Sequence, residues 1–229
     1  MTMRFSRIID ISLRLDDAFH MHTPDGFNRD LQFALEVLKD YDAPGGAGQI
    51  VRGVHMRLHA GTHVDAQAHF VRGGNQVHQL PLETFIGDAV VADLSATPPD
   101  TALTSGDLER AVGAILRPGD RLLLRTDWNR HYGQPGWIEN SPYLAPEAVD
   151  WCIGRGVVLV GIDFAHAKDA PNTPAKYYLS RALCEHNIVV MAYLMNLDQI
   201  TQQRVTLLAL PLAMVGVESA PVRAVVLEE

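Results

Sequence analysis

His59, His63 and Asp65, followed by His69, have the residue types and the spacing to bring two imidazoles and a carboxylate onto one divalent cation. Such a set leaves coordination positions open for water and a reactant, which is the catalytic rather than the structural kind of metal site. Five of the ten histidines, His55, His59, His63, His69 and His78, crowd into one short stretch whose centre reads His59-Ala60-Gly61-Thr62-His63-Val64-Asp65-Ala66-Gln67-Ala68-His69. Burying so many polar groups without partners would be costly, so an ion explains the cluster better than packing does. His55 and His78 read as ordinary isolated histidines. His20, His22, His131 and His166 carry no signal singly, although the first pair and His166 could line a pocket.

A helix carrying His59 and His63 one turn apart is disfavoured, because Gly61, Thr62 and Val64 are poor helix formers and no glutamate follows His59. A strand, a turn at Gly61 and a second extended piece fit better. Period-two spacing then puts His63 and Asp65 on one side, with His59 folded back towards them. The positioning strands are expected at Ile8–Leu13, Ile50–Leu58, Ala89–Asp93, Arg121–Thr126, Val157–Ile162, Ile188–Ala192 and Val222–Leu227. Within the second of these, Val54, Met56 and Leu58 alternate with His55, Arg57 and His59, whereas the later strands are almost continuously apolar, as buried strands are. Helices are expected over Asp107–Leu116 with Ser105 as a cap, Pro146–Arg155 stopped by Gly156, and Lys176–Glu185. The class is α/β. Asp40–Gly48 and Gly133–Pro146 have the composition of loops that could cover a site.

The chain of 229 residues, 47% hydrophobic and 20% charged, has the composition of a folded globular protein. With no repeat and no shift in composition along it, residues 1–229 are expected to form a single domain. A net charge of -8 disfavours nucleic acid and anionic membranes and favours a small-molecule substrate. The apolar runs Val157–Ile162 and Leu207–Leu212 are far shorter than a membrane span, and no signal-peptide core develops near the N-terminus, so a cytoplasmic location is expected. Cys152 and Cys184 lie far apart with no CxxC spacing and read as buried free thiols.

The stretch His59–His69 resembles the HxGTHxDxPxH motif of the cyclase-like metal-dependent hydrolases, the family of bacterial kynurenine formamidase and isatin hydrolase. The resemblance extends to Ile8-Ile9-Asp10-Ile11-Ser12, Leu123-Leu124-Arg125-Thr126, Val160-Gly161-Ile162-Asp163, Ala209-Leu210-Pro211-Leu212 and Ser219-Ala220-Pro221-Val222-Arg223-Ala224. It implies a swivelling β/β/α fold with a mixed sheet, assembly as a homodimer or tetramer, and hydrolysis of an amide or cyclic amide. It also implies His59, His63 and Asp65 as metal ligands and His69 as the proton-handling catalytic group. Gln67 replaces the family's usual proline, a change of loop stiffness more than of chemistry. Aligning the later helix and strand puts Ser180 and Ala192 where formamidases have the histidine and glutamate of a second metal site, so one ion is expected rather than two. Glu185 and His186 lie close by in sequence but would have to reach from the helix end.

The leading expectation is therefore a hydrolase of a formamide, lactam or imide, in which one Mn²⁺ or Zn²⁺ ion activates water and His69 transfers a proton. Three rivals use the same residues: a dehydrating cyclase or isomerase, an iron(II) site of the two-histidine, one-carboxylate type, and a binding protein that has lost hydrolysis. Phe19, Phe27, Trp128, Trp137 and Tyr143 are candidate pocket-wall residues without a substrate assignment.

Overall fold

Apolar β-branched runs separated by turn residues give the chain its order of elements, seen in a computed structural model that describes residues 5–16, 33–42, 44, 48–171, 173 and 178–229. The first half contains β1 (Arg7–Asp10), β2 (Phe33–Lys39), β3 (Val51–Met56), β4 (His63–Asp65), β5 (Ile86–Asp93), β6 (Ala102–Leu103) and α1 (Ser105–Val112). The second contains β7 (Arg121–Arg125), β8 (Tyr143–Leu144), α2 (Pro146–Gly154), β9 (Leu159–Ile162), α3 (Tyr178–Glu185), β10 (Val189–Ala192), β11 (Arg204–Leu208), β12 (Ser219–Pro221) and β13 (Val225–Glu228).

Nine strands form one mixed sheet in the order β1-β13-β11-β5-β7-β9-β10-β4-β12. The four middle strands, β5, β7, β9 and β10, are parallel, and the flanking pairs are antiparallel. Both faces of the middle are covered, which is why those strands read as continuous apolar runs. Leu122 and Leu124 point into a core completed by Leu108, Val149 and Leu183 of the three helices, whereas Leu123 packs on the opposite face with Ile9, Val64 and Met191. The site strand β4 lies between β10 and the edge strand β12. The fold is thus mixed α/β, with few helices around a large sheet.

All seven expected strand regions contain a strand, with ends shifted by a few residues. The alternation along β3 does not become a buried face and a wet face. β3 pairs with β2 in a separate two-stranded ribbon, and Val54 is left 54% exposed. The cap of α1 is Thr104 rather than Ser105: the Thr104 hydroxyl accepts from the Asp107 amide and the Asp107 carboxylate accepts from the Thr104 amide, so Ser105 already lies in the first turn. Pro146 starts α2 as expected, and Gly156 follows its end in the left-handed region at φ +67°. The first two residues of the expected Lys176–Glu185 helix, like part of the 40–48 loop, lie outside the described residues. The 133–146 segment contains β8, which pairs with β6. Strands β2, β6, β8, β11 and β12 lie outside the expected strand regions. Cys152 and Cys184 are free and buried, and among the described residues no helix is long and apolar enough to cross a membrane.

Candidate metal centre

The turn after β3 is built to reverse the chain within a few residues. Gly61 takes φ +64°, and the Thr62 hydroxyl donates to the Tyr193 carbonyl (2.7 Å) while accepting from the Leu13 amide (2.8 Å), which ties the turn to two neighbouring segments. β4 then runs antiparallel to both neighbours, with His63 opposite Ala192 and Pro221, and Asp65 opposite Val190 and Ser219. Val64 faces the apolar core, so the period of the strand sends His63 and Asp65 to the other side. A 3-10 turn over Gln67–His69 follows, closed by the His69 amide on the Ala66 carbonyl, and it returns His69 to the same place. A side chain at position 61 would adopt a left-handed conformation and bring its Cβ to 2.8 Å from Leu15 Cδ2. Gly61→Ala is expected to cost about 1–2 kcal/mol from the backbone alone, with the contact added to it. Denaturant unfolding measures this, and wild-type stability would contradict the role given to the turn.

Asp65 Oδ1 lies 2.9 Å from His59 Nδ1 and 3.5 Å from His63 Nε2. The three atoms face one another, and His63 and Asp65 are fully buried. The other ring nitrogen of His63, Nδ1, donates to the Gly61 carbonyl at 2.8 Å, which leaves the Nε2 lone pair directed into the cluster. Neither His63 Nε2 nor Asp65 Oδ1 makes a well-formed hydrogen bond. Buried polar atoms left unpaired are expensive, and a cation among them would satisfy both at once. The residues present therefore fit a divalent ion, as judged by chemistry and by their unmet bonding capacity.

Electrostatics point the same way. Burial opposes the ionised form of Asp65, but the imidazoles of His63 and His59 beside it outweigh burial and hold the carboxyl well below its usual range. Burial also opposes charge on His59, yet Asp65 and then Glu218 raise it above an ordinary histidine. His69 moves the other way: burial lowers it, the negative charge of Asp65 only partly compensates, and the positive charge of His59 adds to the fall. A neutral imidazole thus stands beside a site that attracts cations, with ring centroids 4.6 Å from His59 and 4.2 Å from Phe70.

The sequence-selected residues divide clearly. His59, His63, Asp65 and His69 meet in one place, whereas His55 is exposed and pairs with Glu36 at 3.0 Å, and His78 is exposed. His166 joins the cluster, with its ring 6.0 Å from His63 and 5.4 Å from Tyr193, and burial pushes it down to about 3. His131 stacks near Trp128 at the surface. Trp128 and Trp137 are core residues, Tyr143 lies under Lys168, and Phe19, Phe27, His20 and His22 fall outside the described residues. Ala192 is directly beside His63, and Ser180 is buried with its hydroxyl unpaired. Glu185 and His186 are exposed. Sequence reasoning missed Glu218, whose Oε1 is 3.2 Å from His59 Nε2 and which forms with His59 and His69 a second potential ligand group. Its only local signal was its place just before the Ser219-Ala220-Pro221 segment.

The sequence model of the putative cyclase family matches residues 9–168, a span that contains the whole His59–His69 motif. The chain belongs to the putative cyclase family. Among its curated relatives, kynurenine formamidase of Bordetella pertussis is 31% identical over 181 residues, which covers 78% of this chain and 80% of the relative. Kynurenine formamidase of Bacillus cytotoxicus is 29% identical over 98% of this chain and 99% of its own length. Isatin hydrolase A of Ralstonia solanacearum superposes with a TM-score of 0.85 at 30% identity, covering 97% of this chain and 92% of that one. Within the cyclase family, the chain is therefore a hydrolase of the metal-dependent kind, with residues of its own that could hold a metal ion.

Proposed function

We propose that the chain, an amide hydrolase by its family, opens a small formamide, lactam or imide with one divalent ion held by His59, His63 and Asp65. The observation that carries this reading is the pair of buried, unpaired atoms, His63 Nε2 and Asp65 Oδ1, that face His59 Nδ1. When bound, the ion supplies Lewis-acid polarisation of the substrate carbonyl and lowers the pKa of water. His63 is locked by its bond to Gly61 so that one nitrogen serves the cluster. Val64, packed on the opposite face, keeps β4 from turning its two ligands away. Neutral His69 accepts a proton at a ring nitrogen as water attacks, and returns it to the leaving nitrogen. His166, held neutral beside His63, adds no charge that would repel a cation.

The imidazole pair suits zinc, and the carboxylate with room for water suits manganese. Ser180 and Ala192 offer neither imidazole nor carboxylate, which supports a single ion per chain. The β2–β3 ribbon supports assembly of like chains: it stands apart from the main sheet with Leu35, Val37, Leu38 and Val54 exposed, and a lone two-stranded ribbon is marginal in water. A cytoplasmic setting fits the two free thiols.

The protein loaded with zinc or manganese is expected to convert at least one of a panel of N-formyl arylamines, cyclic imides and isatin-like lactams. Heavy-oxygen label from water should enter the product, and elemental analysis should find one ion per chain. Conversion without net addition of water would favour the dehydrating cyclase, and two tightly held ions would overturn the reading of Ser180 and Ala192.

A further inference from the structure

We propose that Glu218 is a positioning residue: it accepts the Nε2 proton of His59 and so fixes that ring with Nδ1 turned towards Asp65 and the ion. The inference rests on the metal reading above. The Glu218 carboxylate lies 3.2 Å from His59 Nε2, on the far side of the ring from Asp65 at 2.9 Å. The backbone holds it there. The Val217 carbonyl accepts from the Val77 amide, the Glu218 carbonyl accepts from the Ala66 amide, and Ser219 enters β12 opposite Asp65. The residue leading into the edge strand that flanks one ligand is thus the group that orients another. At the surface a histidine–carboxylate pair contributes little. Behind a metal-bound imidazole, the same pair sets the tautomer, the ring angle and the basicity of the ligating nitrogen.

A competing arrangement would put Glu218 on the ion directly, with His59 and His69. It would use His59 Nε2 in place of Nδ1 and leave His63 Nε2 and Asp65 Oδ1 buried and unpaired, which is the costlier outcome. It would also occupy His69, the neutral imidazole needed for proton transfer.

The test compares the wild type with Glu218→Ala and Glu218→Gln in three measurements: zinc and manganese affinity by chelator competition, unfolding of the metal-free protein, and the visible spectrum of the cobalt-loaded form. Glu218→Ala is expected to bind about 10–100-fold more weakly. Glu218→Gln should lose less, because its amide oxygen still accepts from Nε2. Metal-free unfolding and the cobalt band positions should stay as in the wild type. Unchanged affinity in Glu218→Ala would overturn the proposal. So would a matching loss of metal-free stability, which would make the role structural, or a changed cobalt spectrum in Glu218→Gln, which would make Glu218 a ligand. Failure of the wild type to take up any of the three ions would overturn the metal centre itself, an outcome distinct from the others.

Discussion

Asp65→Ala and His63→Ala are each expected to weaken metal binding by more than ~100-fold and to reduce turnover to background. Loss of a partner behind a metal ligand already costs about 10–100-fold in affinity, and each of these substitutions would remove a proposed ligand outright. The effect should be large because both side chains are buried and no neighbour on β4 can replace either: Val64 faces the other core, Ala192, Val190 and Pro221 opposite them offer no donor atom, and the Ser219 hydroxyl opposite Asp65 donates to the Leu58 carbonyl. An ion that binds only the folded chain stabilises it, by about 2.7 kcal/mol at a hundred times its dissociation constant. Wild-type protein should therefore melt higher when zinc or manganese is added, and the two variants should not. An equal rise in Asp65→Ala would contradict the assignment.

His69→Ala should behave in the opposite manner. It is expected to keep its ion and its metal-dependent rise in melting temperature while turnover falls by roughly two to four orders of magnitude, the usual contribution of a general acid–base group. Since burial holds His69 below an ordinary histidine, it gains its proton under more acid conditions than a free imidazole does. The acid limb of kcat/KM should thus lie below the ordinary histidine value of ~6.5, and it should be lost in His69→Ala. Full activity in that variant would remove His69 from the mechanism.

Local spacing revealed the cluster because most of its side chains lie within eleven residues of chain, His59–His69, where glycine, a β-branched run and period-two geometry nearly determine the path. Asp65 and His63 fall on one face for the reason read from the sequence, and Gly61 makes the bend it was expected to make. Glu218 was not legible. It lies just before a three-residue edge strand, more than 150 positions from His59, and only the pairing of β12 with β4 brings it beside that ring. His166 was visible as a histidine but not as part of the cluster, because its place depends on the parallel strands β9 and β10 lying side by side next to β4. The middle strands were plain from their continuous apolar character. β3 misled because alternation reports a half-buried strand only where a core lies beneath it, and β3 pairs with β2 in a separate ribbon whose Leu35, Val37, Leu38 and Val54 are exposed.

The most direct test is anomalous diffraction from crystals of the wild type grown with zinc or manganese and measured at the metal's absorption edge. A single peak within bonding distance of His59 Nδ1, His63 Nε2 and Asp65 Oδ1, with Glu218 behind His59 rather than on the ion, is the result expected. A protein that takes up no ion there, or holds it through other residues, would contradict the account.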